Sequence, residues 1–122
     1  MQPNSKKSFY SNKTTIKDIL VISDDYLCLF TTLIQLKKEE INIKQHSLVS
    51  TAINELDNEP FDVIIIKLNS HNQEITDLVK KAKELNIKIV IITSDEHETY
   101  EVDLTIQIKE IQTSLIQKLM TL

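Results

Sequence analysis

Short, wholly apolar runs alternate with segments of helical apolar spacing along this chain, and that alternation restricts the folds open to it. The runs are Ile19-Leu20-Val21-Ile22, Phe61-Asp62-Val63-Ile64-Ile65-Ile66-Lys67-Leu68-Asn69, Ile87-Lys88-Ile89-Val90-Ile91-Ile92 and the weaker Leu104-Thr105-Ile106-Gln107-Ile108. A strand with one wet face alternates apolar and polar residues. A run without that alternation reads as a strand covered on both faces, as in a parallel sheet. Strands alternating with helices argue for βαβ units. Right-handed crossovers then bring the carboxyl ends of all strands to one edge, where ligands and chemistry gather in open α/β sheets. Ser23, Asp24, Asp25, Lys67, Thr93 and Lys109 all fall at that edge. A lysine ending the most apolar run is the most informative residue among them.

The spacing predicts strands over 16–22, 41–46, 61–68, 87–93 and 104–108. It predicts helices over 25–38, from Ser47 or Ser50 to just before Pro60, over 73–85 and over 110–122, with Asp24 or Asp25 as the first N-cap. Val49, Ala52, Ile53 and Leu56 form the buried face of the second helix, and Ile75, Leu78, Val79, Ala82 and Leu85 that of the third. Residues 94–103 must cross between the last two strands in ten residues, with little apolar periodicity. A whole crossover needs at least about 10–12 residues, so an acidic loop or a reduced fourth helix is expected there.

A chain of 122 residues is one domain with one core. Residues 1–15 are polar and are expected to form a disordered tail ahead of a domain spanning 16–122. The net charge is −4, with 14 lysines and no arginine, which makes nucleic acid a poor partner. The single cysteine, Cys28, excludes an intrachain disulfide and a thiolate metal cluster. No run approaches the ~18 apolar residues of a membrane span, and the first residues lack the apolar stretch of a signal peptide. A cytoplasmic protein is expected. The chain contains no glycine at all. Phosphate-cradling loops need glycine so that the backbone can approach the anion, so no nucleotide cofactor is expected.

In order and spacing, "ILVISDD", "FDVIIIK", Thr93 and Lys109 resemble the receiver domain of bacterial response regulators, over roughly residues 17–122. The resemblance implies a doubly wound, five-stranded parallel sheet of order 2-1-3-4-5 in three α/β/α layers. In that family the first strand ends in an acidic pair that holds Mg²⁺. The third ends in the aspartate that accepts phosphate from a histidine kinase, the fourth in Thr or Ser, and the fifth in Lys. Here the acidic places fall on Ser23 and Asp24, and Lys67 stands where the phosphorylated aspartate would be. Thr93 and Lys109 match. The proline that follows the family's lysine is Glu110, and the aromatic of its fifth strand is replaced at about Ile106.

These departures imply a scaffold whose phosphorylation chemistry is gone. Lys67 is expected to pair with Asp24 or Asp25 in the place of the metal. At an effective dielectric constant of ~20 and ~4 Å, a divalent ion beside a lysine ammonium costs about 8 kcal/mol, so no metal is expected. Asp62 is no substitute acceptor, because it lies at the start of its strand. His71 and His97 read as free surface histidines.

The first helix has apolar residues at 26, 27, 29, 30, 33, 34 and 36, a wider arc than one buried stripe needs. Ile116 and Met120 widen the face of the last helix in the same way. Leu29, Leu33, Leu36, Ile116 and Met120 are therefore the expected interface with a protein partner or a second copy. The function expected is a phosphorylation-independent pseudo-receiver, not an enzyme. Two alternatives are a regulator binding a small ligand in the strand-end cleft and, less favoured, a small enzyme using Lys67 as nucleophile or base.

Overall fold

The apolar runs form five strands: β1 (Asp18–Ser23), β2 (Asn42–His46), β3 (Val63–Lys67), β4 (Lys88–Thr93) and β5 (Leu104–Gln107). The structure is a computed structural model, and it describes residues 16–24, 29–67, 73–93, 102–108, 111 and 115–122. Its sheet is wholly parallel, in the order β2-β1-β3-β4-β5. This is the doubly wound order expected from the sequence. Four helices are described around it: α1 (Phe30–Lys38), α2 (Val49–Asn58), α3 (Gln73–Glu84) and the last helix, α4 (Ile116–Met120). The expected reduction of a further helix before β5 falls mainly on residues 94–101, outside the described residues. No described helix is long and apolar enough to cross a membrane.

Alternation along the strands divides the core into two layers. Ile19, Val21, Val63, Ile65, Val90, Ile92 and Ile106 face α1 and the last helix, where Leu29, Leu33, Leu36, Ile111, Leu115 and Leu119 meet them. Leu20, Ile22, Ile64, Ile66, Ile89 and Ile91 face α2 and α3, and meet Val49, Ala52, Leu56, Leu78 and Ala82. Both layers need apolar residues at successive strand positions, hence the unbroken runs.

Two expectations change here. β1 begins at Asp18 rather than at residue 16. Leu85, expected on the buried face of α3, is 45% exposed. The helix stops at Glu84 and the chain swings back to β4, so Leu85 overhangs the edge of the sheet instead of packing on it.

A glycine-free chain must still end its helices. After α1, Glu40 takes φ 63°, and after α3, Asn86 takes φ 59°. Each lies at the centre of the same hydrogen-bonded motif. Ile41 N–H donates to Leu36 O (3.3 Å) and Glu40 N–H to Lys37 O (3.0 Å). Ile87 N–H donates to Ala82 O (2.9 Å) and Asn86 N–H to Lys83 O (3.1 Å). This is the Schellman closure, with a buried isoleucine after each left-handed residue. The left-handed region is costly for a residue with a Cβ, least so for Asn.

The amino edge of the sheet is closed by polar side chains. Asp62 Oδ2 accepts from the amides of Lys17 (2.8 Å) and Asp18 (3.0 Å). Asp103 Oδ2 accepts from Ile89 N–H at 2.8 Å. These carboxylates satisfy backbone donors that the strand ladder leaves open at its start.

Glu40→Gly is expected to raise stability by ~0.5–1 kcal/mol, as measured by urea unfolding, because it relieves a left-handed residue that bears a Cβ. Asn86→Gly is expected to gain less, since asparagine tolerates that region. Equal gains, or a loss at Glu40, would contradict the assignment.

Candidate functional site

Four polar or charged residues are buried among the described residues: Ser23, Thr32, Lys67 and Thr93. Three of them are the last residues of β1, β3 and β4, which are neighbours in the sheet. Polar burial is thus concentrated at the carboxyl edge. Ser23 and Lys67 are register partners across β1 and β3. Strand alternation turns both toward the layer of α1 and the last helix, the side of Val21 and Ile65. Thr93 has the parity of Ile89 and Ile91 and lies toward α2 and α3; its register partner on β5 is the half-buried Gln107. Asp24 follows Ser23 and is exposed.

The sequence placed Ser23, Asp24, Lys67 and Thr93 at this edge, and the structure puts them there. Asp25 and Lys109 lie outside the described residues. Lys67 is only 5% exposed. Ser23, Asp24, Lys67 and Thr93 all have interaction partners, and no buried side-chain nitrogen or oxygen among the described residues is left without a hydrogen bond. The edge is therefore a satisfied polar cluster under an apolar sheet. Asp62 sits at the opposite edge, committed to the amides of Lys17 and Asp18. Among the described residues no three metal-ligating side chains converge, and His71 and His97 lie outside them.

The interface residues inferred from helix arcs need correction. Leu29, Leu33 and Leu36 are core residues, at 1%, 6% and 0% exposure. They pack on the sheet and offer no surface to a partner. The open apolar side of α1 is Phe30 and Ile34, exposed by 61% and 40%. Ile116 and Met120 are half-buried against the same core layer.

Sequence reasoning missed one charged cluster. Lys44 Nζ lies 2.7 Å from Glu59 Oε2 and 3.4 Å from Glu55 Oε2, and His46 Nε2 lies 3.1 Å from Glu55 Oε1. The hydrogen bond from His46 holds the Glu55 carboxyl below its usual range, and Lys44 adds to this. The hydrogen bond to Glu59, with the charge of Glu55, raises the Lys44 amine. The signal was available in part: Lys44 and His46 share a strand face, and Glu55 lies on the helix that follows, with Glu59 just past its end. The cluster fastens edge strand β2 to α2. Charged residues on an edge strand also oppose unwanted pairing with another chain.

No protein-family model matches the chain, and no curated protein matches it. Solved structures do. A receiver domain protein (CheY-like) from Methanospirillum hungatei is 21% identical, with a TM-score of 0.64 over 86% of this chain and 94% of that one. The response regulator TrrA from Thermotoga maritima, solved with magnesium and beryllofluoride, is 19% identical, with a TM-score of 0.63 over 85% and 99%. The chain has the receiver-domain fold. A de novo designed Rossmann 2x3 protein is just as similar, at 19% identity and a TM-score of 0.66 over 85% and 90%. The likeness is therefore one of architecture, and any function must be argued from the carboxyl edge.

Replacing Lys67 tests how far the cluster is held by its charge. Lys67→Met keeps most of the stem and removes the cation. Stripping one partner from a buried pair costs ~3–5 kcal/mol, and far less when the other partner reaches water. With the exposed Asp24 as the expected partner, a loss of ~1–3 kcal/mol is expected in denaturant melts. An unchanged midpoint would mean that the lysine head group is solvated and holds nothing.

Proposed function

We propose that this chain is a receiver-like signalling module that works without phosphorylation, by binding protein. The observation that carries the reading is the buried Lys67 at the carboxyl end of the central strand β3, in register with Ser23. By the resemblance to receivers, these are the places of the phosphate acceptor and of one Mg²⁺-binding carboxylate. Lysine has no carboxylate from which to form an acyl phosphate. The donor set does not suit Mg²⁺ either: one acidic place is a hydroxyl, and a cation stands beside the other. In this reading the lysine charge takes over the electrostatic task of the metal by facing Asp24 or Asp25. Thr93 and Lys109 remain as polar lining. A pocket that cannot be switched by phosphate leaves one standing conformation, and signalling then depends on what that conformation binds.

Intact mass after incubation with acetyl phosphate and Mg²⁺ tests the first half. No added phosphate is expected. Lys67→Asp alone is also expected to stay unmodified, because Ser23 still lacks a carboxylate. A phosphate on any strand-end aspartate of the unaltered chain would defeat the proposal.

The binding surface is assigned to the side of the sheet that carries α1 and the last helix. Phe30 and Ile34 form an exposed apolar pair one helical turn apart, and Ile116 and Met120 border the same core layer. A specific interface buries at least about 1,000 Å² in total, which an α1-centred patch can supply from two copies or from one partner. Sedimentation equilibrium is expected to show self-association that Phe30→Glu with Ile34→Glu removes without unfolding the chain, since both side chains are open to solvent. A wild type that stays monomeric at high micromolar concentration would eliminate the second copy and leave a different protein as the partner.

A further inference from the structure

Three clefts of described residues open along the amino edge of the sheet, opposite to Lys67. They differ in charge. The cleft at the end of α2 carries Asp57 and Glu59 and no cation. The cleft at the start of β2 sets Asp18 and Glu59 against Lys44. The third, of about 470 Å³, lies between the end of α3 and the start of β5 and is lined by Lys83, Asn86, Ile87, Lys88, Val102 and Asp103. Two ammonium groups there face one carboxylate, in a chain whose net charge is −4. Its volume falls within the ~300–1,000 Å³ usual for small-molecule sites.

The carboxylate in this cleft is already committed. Asp103 Oδ2 accepts from Ile89 N–H at 2.8 Å, and Oδ1 lies 3.8 Å from Lys88 Nζ. That separation is too long for a hydrogen bond, and an exposed pair of this kind contributes little. The Lys88 ammonium can therefore turn to a second anion. Lys83 stands in the last turn of α3, where a cation usually serves the open carbonyls of the helix end. Here those carbonyls are taken. Leu85 N–H donates to Lys81 O, Ile87 N–H to Ala82 O and Asn86 N–H to Lys83 O. Among the described residues, no side chain pairs with the Lys83 ammonium or the Asn86 carboxamide. The left-handed turn at Asn86 (φ 59°) reverses the chain, so that Lys83 and Lys88 line one cleft. Between them the buried Ile87 and the half-buried Val102 supply a narrow apolar floor.

We propose that this cleft binds a small organic anion, a carboxylate with a short apolar tail. Its oxygen atoms accept from Lys83, Lys88 and the Asn86 carboxamide, and its tail lies on Ile87 and Val102. Hydrogen bonds between ionised partners are the stronger kind, and the two lysines supply them without breaking the bond from Ile89 to Asp103. The apolar floor between the cations favours an organic acid over a bare inorganic ion. The site is separate from the carboxyl edge and does not depend on Lys67.

The test is a titration of the isotope-enriched full chain with sodium butyrate at low ionic strength, read from amide shifts. Sodium chloride and inorganic phosphate at matched ionic strength are the controls. Butyrate is expected to shift the amides of Asn86, Ile87, Lys88 and Asp103 along a saturating curve with a Kd of about 1–10 mM, a weak affinity in keeping with exposed cations. The amides of Ser23 and Lys67 should stay in place. Lys83→Gln with Lys88→Gln removes both charges and is expected to weaken binding at least about tenfold. Lys83→Gln alone leaves the contact between Lys88 and Asp103 untouched and should account for part of that loss. Both lysines are exposed, and unchanged amide shifts in β1 and β3 show that the variants are folded. Shifts that grow linearly with butyrate would overturn the proposal, as would shifts that sodium chloride reproduces. Equal affinity in the double variant would do the same, because the anion would then be held elsewhere. If phosphate saturates the same amides and butyrate does not, the cleft takes inorganic ions only and the organic class is wrong.

Discussion

Burial of both faces of the central strands is the constraint on which the rest of this structure depends. Every residue from Ile19 to Ile22 and from Val63 to Ile66 is within 1% of complete burial. Each such side chain gains ~1.5–3 kcal/mol from leaving water, but only if helices cover both sides at once. That requirement dictates crossovers on alternating sides and a parallel ladder. It also excludes polar residues from the strand interiors, so whatever polar chemistry the chain has is pushed to the strand ends. Lys67, Ser23 and Thr93 at the carboxyl edge, and Asp62 and Asp103 at the amino edge, follow from one packing rule.

The two edges use their polar residues differently. At the amino edge, carboxylates of Asp62 and Asp103 accept from main-chain amides, so they complete the ladder and have little capacity left for other work. At the carboxyl edge the buried residues are two hydroxyls and a cation that end three neighbouring strands, Ser23 and Lys67 on one face of the sheet and Thr93 on the other. This asymmetry distinguishes a structural seam from a candidate site. It also explains why Asp62 could be dismissed as an acceptor from its place in the sequence alone, immediately before the first strand position of β3.

What the sequence made legible was whatever depended on period and order. Unbroken apolar runs gave the strands, their alternation with helices gave the parallel topology, and the residue ending each run gave the edge on which it lies. What it hid depended on rotation and on length. A set of seven apolar positions over 26–36 marks a wide apolar face, but its period cannot say which part is pressed on the sheet. Leu29, Leu33 and Leu36 took the core, and Phe30 and Ile34 were left outside. Leu85 keeps the helical spacing in the sequence, yet the helix ends at Glu84 and leaves it exposed. The pairing of Lys44 and His46 with Glu55 and Glu59 joins a strand to the helix after it, where two independent periods must be phased against each other. The left-handed Glu40 was hidden for another reason: without glycine the usual mark of a helix end is missing, and the chain uses a residue that pays a steric penalty there.

Architecture does not separate a signalling domain from a designed protein that shares its layers, because both satisfy the same two-sided burial. The discriminating information lies in the few polar groups that the core has to tolerate. A buried lysine must be held by compensating oxygen atoms. In a switchable site, the state of the pocket has to change by the arrival and loss of a charged group. Here a charge is built into the chain and cannot leave. Under the function proposed above, a reversible electrostatic event gives way to a permanent one, and regulation then rests on surfaces that can be occupied and vacated. The exposed side of α1, with Phe30 and Ile34, is the surface to which that proposal assigns binding.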